Sequence, residues 1–310
     1  MPLHLMVIML RVKTASGRFQ KYNPKKIYRT CIRAGASKKL AREIEREISQ
    51  KIYDGIPTRK VLGMVLDSLR RHQADALACR YDLKNAIMRM GPAGFAFETF
   101  LCQVFEHHGY ETRLRQHVKG LCVKHEIDLI LDLDGRRSMV EVKYHNSPGI
   151  YTGLKEAMYT YARFLDLKQG HEARTCERFD EAWLATNTRS SLEARKYSQC
   201  KGLRLLGWKN PRNNGLERMI ESMGLYPITV LQGLDSRSFN ALAKAKILLV
   251  SDLAGMTSRR LSRITGLKDP DAENLLEQSK RVFSDPLVGI NAKCQGQVGA
   301  GLHVRDPQQR

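Results

Sequence analysis

The residues best equipped for chemistry lie between His125 and His145, in the run HEIDLILDLDGRRSMVEVKYH. Read with a period of two, Ile127, Leu129, Leu131 and Leu133 share one face of a strand and Asp128 falls on the other. Asp134-Gly135 is a turn dipeptide, and Met139 to Lys143 then alternates as a returning strand. On that strand Glu141 and Lys143 point one way while Val140 and Val142 point into the core. Such a hairpin brings Asp128 and Glu141 together with Lys143 beside them. Two carboxylates on neighbouring strands suit a hard divalent cation, Mg²⁺ or Mn²⁺, which takes oxygen ligands. A lysine two residues beyond the second carboxylate can hold or deprotonate a water, or steady a charged phosphate. That is equipment for metal-assisted phosphodiester hydrolysis. The same triplet alone also reads as a solvated face with a surface ion pair, so the elements around it must decide.

Those elements follow a definite order. A helix, Phe95 to Phe105, precedes the hairpin with apolar residues at helical spacing and Glu98 among them. After the hairpin come a long helix (about Tyr151 to Leu167), a strand (Ala182 to Thr186), a helix (Ser190 to Lys201) and a strand (Leu203 to Leu206). The order α-β-β-β-α-β-α-β carries the carboxylates on its second and third strands. Within it stand Gly94-x-x-Phe97-Glu98, Glu126-Ile-Asp128, Glu141-Val-Lys143-Tyr144 and Ala185-Thr-Asn-Thr188. Over roughly residues 93–208 this resembles the Mrr-type branch of the PD-(D/E)xK nucleases, which have a restriction-endonuclease-like fold. The resemblance implies that Asp128 and Glu141 bind the metal, that Lys143 is catalytic and that Glu98 assists. Ile127 stands where the motif's name has proline. Tyr144, next to the catalytic strand, is placed to contact backbone phosphate.

Weaker candidates surround this set. His125 and His145 flank it and could touch substrate, though lone histidines beside a basic site more often act as hydrogen-bonding spacers. Asp132 is in phase with Asp128 but roughly 13 Å along the strand, too far to share one ion. Trp183 opens a strand and reads as core rather than as a platform for a base.

Composition bounds the answer. The chain has 310 residues, 42% hydrophobic and 27% charged, enough for two or three globular domains. A net charge of +20 and a pI near 9.8 point to a polyanionic partner, most simply DNA. Seven cysteines are dispersed without a C-x-x-C pair, which gives structural zinc no support and suits reduced thiols in a cytoplasm. The opening MPLHLMVIML is too short to span a bilayer and reads as an added leader or a first strand. No membrane partner is expected.

Residues 1–92 form a mostly helical module: a short strand and turn from Arg11 to Phe19, then four helices. The first has Asn23 as N-cap and Pro24 at its first position; the others start near Ser37, Thr58 and Ala74. Val12-Lys13, Gly17, Asn23-x-x-Lys26-Ile27 and Ala78-x-x-Tyr81 resemble the ATP-cone, the regulatory nucleotide-binding domain of ribonucleotide reductases. The resemblance implies ATP or dATP as effector, held by Lys13 and Lys26 with Val12, and assembly of copies through the cone. Here the usual lysine-arginine-aspartate-glycine run is replaced by Lys13-Thr-Ala-Ser-Gly17. Residues 1–92 hold 20 Lys and Arg against 7 Asp and Glu, so most of the basic excess sits here.

Residues 210–230 open on the loop signal Asn210-Pro-Arg-Asn-Asn-Gly215 and continue into one helix. From Leu231 to about residue 284 successive short helices follow. Ile247 to Leu253 and Leu261-x-x-Ile264-Thr-Gly266-Leu267 resemble a helix-hairpin-helix, which would set Gly266 and Lys268 against backbone phosphate; a protein-binding helical bundle is the other reading. The Gly/Gln-rich tail from 285 to 310 reads as disordered.

The expected architecture is therefore multidomain: a mostly-α ATP-cone, an α/β restriction-endonuclease-like core (93–209) with a central mixed sheet, and a small α-helical C-terminal domain. The expected function is a Mg²⁺-dependent DNA endonuclease of restriction type under ATP or dATP control. Two alternatives stay open: a nucleotide-sensing DNA-binding regulator whose core does not cut, and a structure-specific nuclease of repair or junctions.

Overall fold

The computed structural model describes residues 10–283 except 15, 16, 73, 92, 93 and 148. The leader or first strand expected before residue 10 and the disorder expected after 284 fall outside those residues.

The N-terminal body begins with β1 (Arg11–Lys13) and β2 (Phe19–Lys21), an antiparallel pair in which Val12 faces Gln20. Then come α1 (Pro24–Ala34) and α2 (Lys38–Ser49). The Asn23 side chain caps α1 by accepting from the Lys25 N–H at 3.0 Å, and Ser37 caps α2 through the Leu40 N–H at 3.2 Å. β3 (Ile56–Pro57) joins β1 in parallel and runs into α3 (Thr58–Arg71). The apolar stripes of these helices enclose a core that includes Ile27, Ile44, Ile48, Ile56 and Leu69.

Next comes α4 (Asp75–Met88), and it belongs to two bodies. Leu77 and Ala78 face the N-terminal core, whereas Cys79, Leu83, Ala86 and Ile87 join the largest core of the molecule. A boundary at residue 92 therefore follows a helix that both sides share.

α5 (Phe95–His107) starts at Gly94, whose φ of 73° is left-handed backbone that glycine adopts without strain. Three antiparallel strands follow: β4 (Glu111–Lys119), β5 (Lys124–Leu133) and β6 (Arg136–Lys143). The β5–β6 turn is Asp134-Gly135 with φ of 51° and 73°, the double left-handed geometry a two-residue hairpin requires. β7 (Tyr151–Thr152), α6 (Leu154–Glu172), β8 (Glu181–Thr186), β9 (Arg189–Ser190), α7 (Leu192–Lys201) and β10 (Arg204–Leu206) complete this part. The five-stranded sheet has the order β10-β8-β6-β5-β4, with β6, β8 and β10 parallel and β4, β5 and β6 antiparallel. Both faces of the inner strands are covered, so β5, β6 and β8 are apolar on both sides, whereas the edge strand β4 is polar and partly exposed. Leu129, Leu131, Val140, Val142 and Trp183 meet α5, while Ile130, Met139, Ala182 and Leu184 meet α6 and α7.

One expected facing is corrected. Ile127 packs on the α6 side, not with Leu129 and Leu131. Arg115 of β4, at φ 49°, interrupts the ladder between the Leu114–Leu129 and Gln116–Ile127 pairs, and the alternation changes face there.

The C-terminal region contains α8 (Leu216–Met223), α9 (Ser236–Lys244), α10 (Ser258–Thr265) and α11 (Asp269–Phe283). Short 3-10 turns at Ile228–Val230 and Val250–Leu253 precede α9 and α10. These two turn–helix units are copies of one another. In each, a left-handed glycine (Gly233, Gly255) sits two residues before the helix N-cap (Asp235, Thr257). The copies exchange hydrogen bonds from the Ile228 N–H to the Leu248 carbonyl and from the Val250 N–H to the Tyr226 carbonyl, both at 2.8 Å. Successive short helices are what the sequence leads one to expect here and they are present; their pairing as a repeat is visible only in the structure. Its apolar residues, among them Leu248, Leu249, Val250 and Leu261, are continuous with the core of α4, α5 and one sheet face.

Candidate metal centre

The hairpin register decides the site. Leu129 lies opposite Val140, and the same register carried one pair further sets Asp128 opposite Glu141. An Asp128 carboxylate oxygen accepts from the Val142 N–H at 2.7 Å, so the side chain takes a ladder donor on the neighbouring strand and is fixed by it. Burial first, and then the charge of Glu141, push the Asp128 carboxyl up to about 6; Glu98 adds to this and the Val142 N–H opposes it. Three acids from α5, β5 and β6 are thus close enough to feel one another, as the sequence led us to expect.

Glu141 is 3% exposed, and cations hold both its oxygens. Lys143 Nζ donates to one at 2.5 Å, and Arg163 of α6 donates to the other. Burial alone would lower the Lys143 pKa, but the hydrogen bond and charge of Glu141 outweigh it and leave it raised. Lys143 is therefore an ammonium at neutral pH, suited to orient a water or steady a phosphate rather than to take a proton. Glu98 accepts from Arg115 Nε at 2.8 Å. Arg163 and Arg115 were not foreseen, because each reaches its acid across a tertiary contact that no local spacing encodes.

The donor set is all oxygen; the rise at Asp128 comes first from its burial and then from Glu141, while Lys143 and Arg163 neutralise Glu141 and Arg115 neutralises Glu98. Carboxylates such as Asp128 and Glu141 are the ligand type that a hard divalent cation takes. Among the described residues no group of three or more His, Cys, Asp and Glu could hold a metal ion, so what the hairpin offers is a pair of carboxylates, with both Glu141 oxygens already held by Lys143 and Arg163.

Other expected residues are placed differently. Tyr144 is corrected: its hydroxyl donates to the carbonyls of Met88 at 2.8 Å and Ile87 at 3.2 Å, and its ring lies 5.4 Å from Phe97. It ties the site strand to the end of α4 and leaves no hydroxyl proton for a phosphate. His145 bonds Thr152 at 3.0 Å and His125 bonds Asp166 at 2.7 Å, so both serve as spacers. Asp132 is held by Arg113 and Arg137 away from the site. Trp183 is core, edge-on to Phe105. Val12 turns its side chain into the N-terminal core, which leaves exposed Lys13 and Lys26 as the polar members of that set; Lys26 Nζ is 3.3 Å from Gln20 Oε1. Gly266 and Lys268 are exposed, but the Gly266 N–H is spent on the Ser262 carbonyl at 2.8 Å as the cap of α10.

Residues 10–83 match the ATP cone domain, and residues 226–283 match the AF1548-like, C-terminal domain. A protein of Archaeoglobus fulgidus described as uncharacterized is 41% identical over 183 residues, 59% of this chain and 99% of that one. The chain belongs to the AF1548-like family. A second uncharacterized protein of the same organism is 48% identical to this AF1548-like chain over 42 residues, 14% of it and 89% of the relative. The crystal structure of AF1548, a protein of unknown function, aligns with a TM-score of 0.53 at 40% identity, over 61% of this chain and 97% of that one. The AF1548-like chain thus couples an ATP-cone, which implies nucleotide-sensing regulation, to a mixed-sheet body and a helical C-terminal region. Among the described residues no helix is long and apolar enough to cross a membrane.

Proposed function

We propose that this chain is a divalent-metal-dependent DNA endonuclease with a restriction-endonuclease-like core, whose cutting is gated by ATP or dATP at the cone. One observation carries the reading: the hairpin sets Asp128 against Glu141, with Lys143 hydrogen-bonded to the latter and Glu98 within electrostatic reach. Asp128 and Glu141 would hold Mg²⁺ or Mn²⁺, which supplies a Lewis acid for the scissile phosphate when bound. Lys143, charged at neutral pH, orients the attacking water or steadies the phosphate. Glu98, fixed by Arg115, completes the acidic wall. Gly266 and Lys268 stay in this reading as backbone contacts of the duplex, with the Lys268 side chain, rather than the Gly266 amide, facing the phosphate.

The second reading, a nucleotide-sensing regulator that binds DNA without cutting, is favoured by a specific contact. Arg163 occupies the Glu141 oxygen that Lys143 leaves free. Cleavage of plain, methylated and branched DNA with Mg²⁺ separates the readings, and calorimetry with ATP and dATP tests the gate. The nuclease reading expects strand breaks that Lys143→Ala abolishes, and a heat of nucleotide binding that Lys26→Ala removes. DNA binding without breaks on any substrate would leave the regulator.

A further inference from the structure

A cavity of about 160 Å³ opens where the cone, the sheet body and α8 meet. Five cationic side chains line it: Arg33 from the last turn of α1, Arg80 and Lys84 from α4, Arg189 of β9, and Lys209 just after β10. Glu217 and Glu221 of α8 oppose them, so the wall carries an excess of positive charge. Among the described residues none of the five cations enters an ion pair, and the side chains of Arg33, Lys84, Arg189 and Lys209 donate no hydrogen bond. Lys84 instead lies 5.9 Å from the centre of the Trp208 ring.

Burial first, and then crowding, disfavour the charged forms here. Burial, then the charges of Arg189 and Lys209, push the Lys84 pKa down, and burial with Arg33 and Arg189 does the same to Lys209. On the opposing wall, burial moves the Glu221 carboxyl up, towards its neutral form. Lys209 is also held at φ 58°, a backbone region costly for a side-chain-bearing residue. Repelling cations gathered from three parts of the fold are what a polyanion of the right size would neutralise.

We infer that this three-way junction binds a small phosphorylated anion carrying at least two negative charges, pyrophosphate or the phosphate tail of a nucleotide. The cavity is too confined for duplex backbone, and Trp208 is too buried to stack on a base, which leaves phosphate as the group recognised. The site is separate from the cone's turn: Lys26 and Arg33 sit at opposite ends of α1, about 10 Å apart along its axis. Because its walls come from cone and sheet body alike, an occupant would clamp one to the other, whether or not the chain cuts DNA.

Titration calorimetry of the full chain with pyrophosphate, and separately with ATP, tests this. Arg189→Gln and Lys209→Gln change exposed side chains, and each is expected to weaken pyrophosphate binding at least tenfold. Lys26→Ala is expected to leave it within twofold. Without phosphate both pocket variants should melt no lower than the parent, since removing one cation relieves the others. In Trp183→Phe, where Trp208 is the remaining tryptophan, pyrophosphate should shift the emission as Lys84 leaves the ring. ATP binding that responds to the pocket variants as pyrophosphate does would identify the source as a nucleotide; ATP refused there while pyrophosphate binds would make it a non-nucleotide phosphate. The inference is overturned if neither ligand binds, if the pocket variants bind pyrophosphate as tightly as the parent, or if a 5′-phosphorylated oligonucleotide binds there while both small anions are refused.

Discussion

Asp128 accepts a hydrogen bond from the Val142 N–H, yet its carboxyl titrates at about 6 rather than near 3.8. Burial and the neighbouring charge of Glu141 outweigh that donor. Between about pH 4 and 6 the folded chain keeps a proton that the unfolded chain releases. Stability contributed by this group is therefore full below pH 4, falls as pH rises through 6, and stays lost at neutral pH. Asp128→Asn keeps an oxygen for the Val142 N–H but cannot ionise. It is expected to be more stable than the parent at pH 7.5 by on the order of 2 kcal/mol without metal, and equal to it near pH 4. Urea unfolding at the two pH values checks this. Mg²⁺ or Mn²⁺ should raise the melting temperature of the parent and leave that of the variant unchanged. The identity and order of Glu98, Asp128, Glu141 and Lys143 were legible in the sequence. Their partners were not. Arg163 meets Glu141 across 22 residues and Arg115 meets Glu98 across 17, in contacts made only when a helix docks on the sheet.

The elements that could be read were those whose start, stop and facing are local. Asp134-Gly135 dictates its turn, and Asn23-Pro24 and Ser37 start α1 and α2 through their own caps. What covers an apolar face is not local. The sequence places α4 but not the two cores that share it, and the paired turn–helix units are hard to see because the residue types at their matching apolar positions mostly differ, Phe239 against Leu261 and Leu242 against Ile264. Tyr144 belongs to the same class: its distance from α4 in sequence hid the contact that occupies its hydroxyl. Tyr144→Phe should cost about 1 kcal/mol of stability, the ordinary worth of a part-buried hydrogen bond. DNA affinity, measured by fluorescence anisotropy, should not change. A severalfold loss of affinity would return Tyr144 to the phosphate.

At the scale of the molecule, α4 joins cone to site. Arg80 Nε donates to the Tyr226 hydroxyl at 2.7 Å, Arg89 to the Thr229 carbonyl at 2.7 Å, and the Thr229 hydroxyl to the Ala86 carbonyl at 2.8 Å. A nucleotide-driven change in the cone would reach the carboxylates through this helix and Tyr144, provided the nucleotide binds the two arrangements unequally. Cutting the chain at residue 93 removes a wall of the main core, whereas cutting before Asp75 keeps it. The chain starting at 93 should therefore fail to unfold cooperatively, and the chain starting at 74 should do so. The latter lacks most of the basic excess of residues 1–92. Its plot of log K for DNA against log salt should be flatter than the parent's, because fewer counterions are released. An unchanged slope would mean that the cone does not touch the duplex.

The proposed nuclease function requires Asp128 and Glu141 to hold the metal ion used for cleavage. Its most direct test is the rate of nicking of supercoiled DNA against Mn²⁺ concentration, for the parent and Asp128→Asn side by side. The variant should be the more stable protein at neutral pH and should bind DNA within about twofold of the parent, since transition-state roles change rate more than ground-state affinity. Metal-dependent nicking is expected of the parent and none of this better-folded variant. Undiminished nicking by Asp128→Asn, or no nicking by the parent at any Mn²⁺ concentration, would contradict the proposed function.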